Sequence, residues 1–398
     1  MRTRAILAAF ALTLLAVPAA ALRGDVLPKD NKFILWWTPQ EQAAGYRRME
    51  DVVKVHTIRR GARVHPLPRA AGPEPQIAFT YQGLSWTPEA MMEADHISGL
   101  LILKDGKIVL ERYGLGRTST DRWTSFSVAK SVTSTLIGAA IKDGFIKNLD
   151  DQVVTYIPEL AGSAYDGVTV RHLITMTSGV RWNEDYSDPK SDVALSDQGP
   201  LVPGKNTTVT YMSHLPRQYA PGTRFVYKTG ETDLAGILLS NAVHKTMSEY
   251  ASEKIWKPYG MEQDGIWMLD SSGHERGGCC ISMTLRDYGR MGQYMLDGGA
   301  GQLPDGWIAQ ATVNALPPPA AGARAQQYGY FWWIEPDNTY EAQGIFGQMI
   351  YINPARKIVI VTNSAWNTAS ERPSGARRTA FVNAAVAALS GSALPAPR

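Results

Sequence analysis

The pattern of apolar and polar positions predicts a sheet whose strands come from both ends of the chain. Apolar runs at 97–103 and 107–113 flank an Asp-Gly pair at 105–106, which is typical of a tight hairpin turn. Near the other end, apolar runs predict three more strands, at 328–334, 349–352 and 358–361. Strands from both ends indicate one antiparallel sheet built by the two termini.

Helices account for most of the remaining pattern. Residues 127–141 are rich in Ala, Val, Leu and Ile without alternation, which predicts a buried helix, and 379–389 predicts a last helix. We therefore predict an α+β fold, an α/β sandwich. Its sheet region, at about 86–145 and 325–392, is flanked by helices and interrupted by an all-α subdomain at about 146–324.

The first residues have the three-part pattern of a secretory signal peptide. Two arginines precede an apolar run at 5–17, and three alanines follow at 19–21. We expect residues 1–21 to be removed on export to the bacterial periplasm or to the medium, with an uncleaved anchor as the alternative. No other run approaches about 18 apolar residues, so no stable membrane anchor is expected after cleavage. Residues 22–85 then form a lead-in segment before the main domain at 86–392.

Composition narrows the class of protein. The 398 residues are 44% hydrophobic and 19% charged, as in globular chains, and a net charge of +3 without a basic run argues against a nucleic-acid partner. The only two cysteines, Cys279 and Cys280, exclude a disulfide scaffold, and we expect them to stay unpaired because adjacent cysteines rarely bond each other. Seven scattered histidines offer no paired spacing for a metal and no phosphate loop occurs, so no cofactor is expected.

The strongest candidate for chemistry is a serine and a lysine one helical turn apart. Ser127 and Lys130 fall at i and i+3 at the start of the predicted helix, so their side chains share one face. A serine hydroxyl needs a base to act as a nucleophile, and a lysine can be that base if burial or nearby positive charge lowers its pKa. The alternative is that Ser127 only caps the helix and that Lys130 is a solvated surface lysine.

The same Ser-x-x-Lys spacing occurs again at Ser187 and Lys190. A proline separates these two residues and the stretch around them is polar, so helical spacing is lacking and we assign the chemistry to Ser127. No Gly-x-Ser-x-Gly occurs in the chain, which argues against hydrolases that carry their serine on a nucleophile elbow.

Three further segments stand out, at 123–131 (WTSFSVAKS), 172–179 (HLITMTSG) and 277–287 (GGCCISMTLRD). On these residues the chain resembles the serine β-lactamase and penicillin-binding-protein superfamily, in its class C-like branch. The resemblance covers about 30–390 and points to the esterases and amidases of that branch, including 6-aminohexanoate-dimer hydrolases.

The resemblance implies a second proton-transfer group. Tyr227 follows Ser127 by 100 residues and corresponds to the tyrosine of the family's Tyr-x-Asn motif, which shares proton transfer with the lysine. Thr229 stands where that motif has asparagine, a departure from the family. The Lys-Thr-Gly at 228–230 matches the family's third motif literally, but it runs into a predicted helix and we interpret it as coincidence.

The third motif corresponds better to 342–348 (AQGIFGQ), which leads into the C-terminal strand pair. The resemblance implies that the N–H groups of Ile345 and Ser127 form the oxyanion hole. Ala342 stands where the family has a lysine or histidine that binds a substrate carboxylate, which argues against a dedicated β-lactamase or carboxypeptidase. The further substrate contacts that the resemblance implies are Tyr186, which can hydrogen-bond a leaving amine, and Thr229, Gln343 and Gly344.

These residues predict an exported serine hydrolase that cleaves a small-molecule ester or amide through an acyl-enzyme on Ser127, with Lys130 and Tyr227 as base. Two alternatives stay open. One is a β-lactamase or D-amino-peptide hydrolase on the same fold, and the other is a non-catalytic module that binds cell-wall peptides. The oligomeric state is also open.

Overall fold

The computed structural model describes residues 26–29, 33–199, 201–319, 326–335 and 337–390. The predicted signal peptide, at 1–21, lies outside the described residues. In chain order the strands are β1 (Val55–Ile58), β2 (Phe79–Tyr81), β3 (Leu84–Trp86), β4 (Ile97–Lys104), β5 (Lys107–Tyr113), β6 (Arg122–Thr124), β7 (Gly265–Met268), β8 (Ile281–Thr284), β9 (Trp333–Ile334), β10 (Tyr340–Gly344), β11 (Gln348–Asn353) and β12 (Ile358–Ser364).

The helices precede, connect and follow these strands. They are α1 (Pro39–Gly45), α2 (Pro88–Ala94), α3 (Val128–Lys142), α4 (Val153–Tyr156), α5 (Val170–Ile174), α6 (Asp192–Leu195), α7 (Thr207–Ser213), α8 (Thr229–Val243), α9 (Met247–Ala251), α10 (Leu285–Leu296), α11 (Trp307–Ala311) and α12 (Arg372–Ser390).

The central element is a six-stranded antiparallel sheet in the order β5-β4-β12-β11-β10-β9. β4 pairs with β12 so that Ile102 lies opposite Ile360, which joins the two ends of the domain as the apolar pattern predicts. Asp105 and Gly106 form the turn between β4 and β5, and both take positive φ angles, 50° and 71°. Asp and Gly tolerate this conformation better than most residues do, which explains the Asp-Gly pair at the turn.

Both faces of this sheet are buried. Leu101 and Val361 belong to the core shared with α3 and α10, whereas Leu100 and Ile360 belong to a second core with Phe381 of α12. Neighbouring residues of one strand point to opposite faces, so each strand needs apolar side chains at successive positions. This is why the sheet strands appear in the sequence as unbroken apolar runs.

The segment between the sheet strands is less uniformly helical than predicted. β7 and β8 lie within 146–324 and join a four-stranded sheet in the order β1-β7-β8-β6. α10 packs on β4, β11 and β12, so it belongs to the sheet region. The apolar pattern does not reveal β7 and β8 because each is only four residues long. The helical insertion is therefore shorter than the predicted range.

The lead-in segment contributes to the same fold. β1 pairs with β7, with Val55 opposite Met268. Tyr46, which directly follows α1, packs edge-on against Trp123 and Phe126, with ring centroids 5.6 and 5.1 Å away. Residues that precede the predicted beginning of the domain therefore support the turn that leads into α3.

Two expectations from the sequence need correction. The strand predicted at 328–334 is limited to β9, because Phe331 takes a left-handed φ of 59° and turns the chain, and the more polar β10 was not predicted. The expectation that Cys279 and Cys280 stay unpaired is wrong, since a disulfide joins them. Cys280 takes a left-handed φ of 71°, so the chain turns sharply at this pair.

Within the ranges given above, no helix has the length and apolar character needed to cross a membrane. The same residues contain no group of three or more His, Cys, Asp or Glu side chains arranged to bind a metal ion.

Candidate active site

Ser127 lies at the beginning of the buried helix α3, where the chain enters from β6. Phe126 takes a left-handed φ of 44°, and Ser127 follows as the residue that caps the helix. Such a conformation is costly for a bulky residue and persists only where the surroundings enforce it. Ser127 keeps 9% of its surface exposed and lines a pocket, whereas the helix behind it is almost entirely buried.

Lys130 contacts Ser127 as the i, i+3 spacing predicts. Its Nζ lies 3.0 Å from Ser127 Oγ, 3.0 Å from Thr229 Oγ1 and 2.7 Å from the carbonyl oxygen of Gly278. Burial lowers the pKa of Lys130 to about 8, an effect that Glu184 and Asp233 oppose and Arg276 reinforces. Roughly a tenth of the lysines are then neutral at pH 7, and a neutral amine can accept the serine proton.

A buried carboxylate on α8 fixes the third partner of Lys130. Asp233 accepts hydrogen bonds from the N–H of Gly278 at 2.8 Å and from Arg276 Nη2 at 3.2 Å. Asp233 therefore binds the N–H of Gly278, while the carbonyl of the same residue accepts from Lys130. No sequence pattern indicates this arrangement, because an acid within a helical stretch is usually a solvated residue.

Tyr227 lies at the pocket wall, immediately before α8. The Nζ of Lys130 lies 5.3 Å from the centre of its ring, and Trp333 stacks on the ring with centroids 5.7 Å apart. Burial and the charge of Glu184 raise the pKa of Tyr227, against a hydrogen bond with Ser127 that lowers it. The phenol therefore stays protonated at neutral pH, so it is suited to donate a proton, while Lys130 is the better base.

Glu184 is a site residue that the sequence did not reveal. It accepts hydrogen bonds from the N–H of Thr229 at 2.9 Å and from the hydroxyl of Tyr186 at 2.8 Å, and it also contacts Thr229 Oγ1 and Trp182 Nε1. Thr229 thus bridges Glu184 and Lys130. The carboxylate also lies at the N-terminus of α8, where the helix dipole favours negative charge. Only its position two residues before Tyr186 could have drawn attention to it.

The predicted site residues converge on one pocket of about 380 Å³. Lys130 and Thr229 do not line the pocket, but Lys130 contacts both Ser127 and Thr229 directly behind it. The residues that line the pocket are Ser127, Glu184, Tyr186, Tyr227, Trp333, Gln343, Gly344, Ile345, Trp366, Ala369, Ser370, Glu371, Arg372, Gly375 and Arg378.

Gly344, the last residue of β10, allows this strand to approach the beginning of α3. A Cβ atom at this position would lie 2.4 Å from the carbonyl oxygen of Ser125 and 3.1 Å from the backbone nitrogen of Ser127. Only glycine fits such a contact, and it brings Ile345 beside Ser127 at the pocket. Ala342 is buried in the core, and its methyl side chain supplies no positive charge at this position.

Two other sequence matches, the Lys-Thr-Gly at 228–230 and the Ser-x-x-Lys at 187–190, lack the geometry of the motifs that they match. Lys228 is fully buried and forms an ion pair with Glu231 at 3.3 Å, and α8 begins directly after it, so the Lys-Thr-Gly at 228–230 is not on a sheet edge. Ser187 donates a hydrogen bond from its hydroxyl to Asp185. It lies in a loop, so Ser187 and Lys190 do not share a helix face.

The Beta-lactamase family model matches residues 88–384. The chain belongs to this family. It is 28% identical over 295 residues to the 6-aminohexanoate-dimer hydrolase of Paenarthrobacter ureafaciens, a match that covers 70% of this chain and 75% of the relative. The chain is thus a β-lactamase-related serine hydrolase, the enzyme class that the sequence predicts.

Solved structures share the fold. A provisional 6-aminohexanoate-dimer hydrolase from Bacillus anthracis superposes with a TM-score of 0.78 at 22% identity, over 92% of this chain and all (100%) of the other. A class C β-lactamase variant superposes with a TM-score of 0.52 at 17% identity, over 74% of this chain and 93% of the other. The predicted sandwich is confirmed, and this class C enzyme shares its fold.

Proposed function

We propose that this hydrolase cleaves an ester or amide bond through an acyl-enzyme on Ser127, with Lys130 as the base and Tyr227 as the proton donor. The observation that carries the proposal is the 3.0 Å contact between Lys130 Nζ and Ser127 Oγ in a buried setting. An ordinary surface lysine is protonated at neutral pH and cannot accept a proton, whereas burial lowers the pKa of this one to about 8.

The reaction proceeds in two halves. Neutral Lys130 takes the hydroxyl proton while Ser127 Oγ forms a bond to the substrate carbonyl carbon, and the N–H groups of Ser127 and Ile345 stabilise the oxyanion. The bond from the carbonyl carbon to the leaving alcohol or amine then breaks, and Tyr227 gives its proton to the leaving group. Lys130 returns a proton to the Tyr227 phenolate. A water molecule, deprotonated by the same pair, then attacks the acyl carbon; the bond from that carbon to Ser127 Oγ breaks, the pair returns the proton to Oγ, and the carboxylic acid product leaves.

Two features favour a linear ester or amide over a β-lactam or a D-amino peptide. Ala342 supplies no cation where the family binds a substrate carboxylate, and the hydroxyl of Thr229 is already engaged by Lys130 and Glu184. The name of the Paenarthrobacter ureafaciens relative, a dimer hydrolase, points in the same direction.

Covalent labelling tests the proposal. A fluorophosphonate should label Ser127, and Ser127→Ala should lose at least ~10³ of the rate on short 4-nitrophenyl esters and linear amides. Lys130→Ala should be nearly as damaging, because members of one catalytic unit act together. Labelling of another residue, or unchanged turnover in Ser127→Ala, would overturn the proposal, and efficient nitrocefin turnover would favour the β-lactamase alternative.

We also propose that residues 1–21 direct export and are removed, leaving residues 22–85 and the main domain as the mature protein. The arginine pair, apolar run and alanine cluster support this. Sequencing the N-terminus of the protein recovered from a periplasmic fraction tests it. A mature N-terminus at Met1 in the cytoplasm would refute it.

A further inference from the structure

A single glutamine contacts the turn that carries one of the proposed oxyanion donors. Gln348, the first residue of β11, is fully buried. Its Nε2 donates to the carbonyl oxygen of Phe346 at 3.1 Å and lies 3.3 Å from the carbonyl oxygen of Ile345. The same Nε2 donates to the carbonyl oxygen of Ser364, the last residue of β12, at 2.8 Å. One side-chain amide therefore binds the turn at 345–347 to a central strand of the main sheet.

The turn at 345–347 needs such support. Phe346 and Gly347 take left-handed φ angles of 59° and 92°. This conformation is costly for a phenylalanine and persists only where the surroundings enforce it. Ile345 begins the turn and Gln348 follows it directly, so a change in the conformation of the turn also moves the N–H of Ile345.

The carbonyl end of the same side chain contacts the segment that leads to the other donor. Gln348 Oε1 accepts hydrogen bonds from Nε1 of Trp123 and from the N–H of Ser364, both at 3.1 Å. Trp123 lies on β6, from which the chain enters the beginning of α3 at Ser127. Both hydrogens and both lone pairs of the amide are thus engaged. Gln348 therefore connects the two segments that supply the N–H groups of Ser127 and Ile345.

Gln348 lies directly behind a residue of the pocket wall. A Cβ atom on Gly344, which lines the pocket, would lie 3.1 Å from the Cβ of Gln348. We propose that Gln348 is a positioning residue, which sets the distance between the N–H groups of Ser127 and Ile345. This inference rests on the proposed function and adds a residue that acts only through the two donors. An N–H group stabilises an oxyanion from about 2.7–3.1 Å away, so a small displacement of either donor lowers the rate.

Replacement of the substrate carbonyl oxygen by sulfur tests the proposal on the purified protein. 4-Nitrophenyl acetate and its thiono analogue share the acyl chain and the leaving group. Two N–H groups placed for an oxyanion stabilise a larger sulfur anion, a weak acceptor, less well. The wild type should therefore prefer the oxygen ester by at least ~10-fold in kcat/KM, after each value is divided by the rate constant for hydroxide attack on the same ester.

Variants show whether Gln348 sets this preference. Gln348→Met keeps the length of the side chain but removes the amide, so kcat/KM on the oxygen ester should fall by ~10–10² and the preference should shrink at least ~5-fold. Gln348→Glu should keep part of the preference, because burial favours the neutral carboxyl group, which still offers a donor and an acceptor. Gln293→Met is the matched control. It removes a buried amide on α10, beside the turn at Gly106, and should leave the preference unchanged.

Thermal unfolding first establishes which variants are folded at the assay temperature. If Gln348→Met is not folded, Gln348→Glu decides, and its preference should again be smaller than that of the wild type. A purely structural role lowers the rates on both esters equally, so an unchanged preference in the folded variant overturns the inference. Loss of the preference in Gln293→Met overturns it as well. A wild type without a preference for the oxygen ester would instead refute the proposed oxyanion hole, and absence of labelling at Ser127 would refute the acyl-enzyme.

Discussion

The charge of Glu184 should control the pH at which the enzyme becomes active. Thr229 Oγ1 contacts both Glu184 and Lys130 Nζ, so two hydrogen bonds in series place the opposite charges roughly 5 Å apart. At an effective dielectric constant of about 20 to 40, this attraction is about 1.7–3.3 kcal/mol, which corresponds to about 1.2–2.4 pKa units. Glu184→Gln removes it while keeping the side-chain shape.

The pH dependence expected for the wild type sets the direction in which Glu184→Gln moves the profile of kcat/KM. Lys130 must be neutral to accept the serine proton, so kcat/KM should rise with pH and level off above its pKa of about 8. Because the Glu184 carboxylate raises that pKa, Glu184→Gln should move the inflection to lower pH by at least about one unit. The neutral fraction of Lys130 at pH 7 then grows from roughly a tenth to roughly a half or more.

The assay is kcat/KM for a neutral 4-nitrophenyl ester between about pH 5.5 and 10, since kcat/KM reports ionisations of the free enzyme. Glu89→Gln is the matched control, because Glu89 is exposed on α2 behind the far face of the main sheet. An inflection that stays in place or moves to higher pH in Glu184→Gln refutes the reasoning. A wild-type profile that is flat between about pH 7 and 9 refutes Lys130 as the base.

Three further predictions follow from the geometry. Tyr227→Phe should lower kcat/KM on an amide by ~10²–10³ and on a 4-nitrophenyl ester by ~10 or less, since kcat/KM reports acylation and nitrophenolate leaves without a proton; equal losses would exclude Tyr227 as the donor. Asp233→Ala removes the hydrogen-bonded carboxylate of the buried Arg276 and leaves it only the longer 3.8 Å ion pair with Asp197, so urea unfolding should show about 3 kcal/mol of lost stability, and a loss below ~1 kcal/mol would contradict this. Gly344→Ala places a Cβ 2.4 Å from the Ser125 carbonyl oxygen and should cost at least ~10² in kcat/KM, with unchanged kinetics counting against the close approach.

Local patterns predicted the parts of the fold that depend on near neighbours. β4 and β12 match the apolar runs at 97–103 and 358–361, because central strands buried on both faces require apolar residues at successive positions. β10 carries mixed polar residues and was not predicted, since it lies next to the short edge strand β9 and ends at the pocket. The disulfide at Cys279 and Cys280 likewise depends on a left-handed turn that composition does not reveal.

The sequence by itself determined the pairing of Ser127 with Lys130, because an i, i+3 contact on a helix needs no information from the rest of the chain. The resemblance added Tyr227 and Ile345. Only the tertiary structure decided the surroundings that set the pKa of this lysine, namely its burial, which lowers it, and the opposing charges of Glu184, Asp233 and Arg276. Those groups come from segments far apart in the chain, and burial and mutual charge exist only once the segments have packed together.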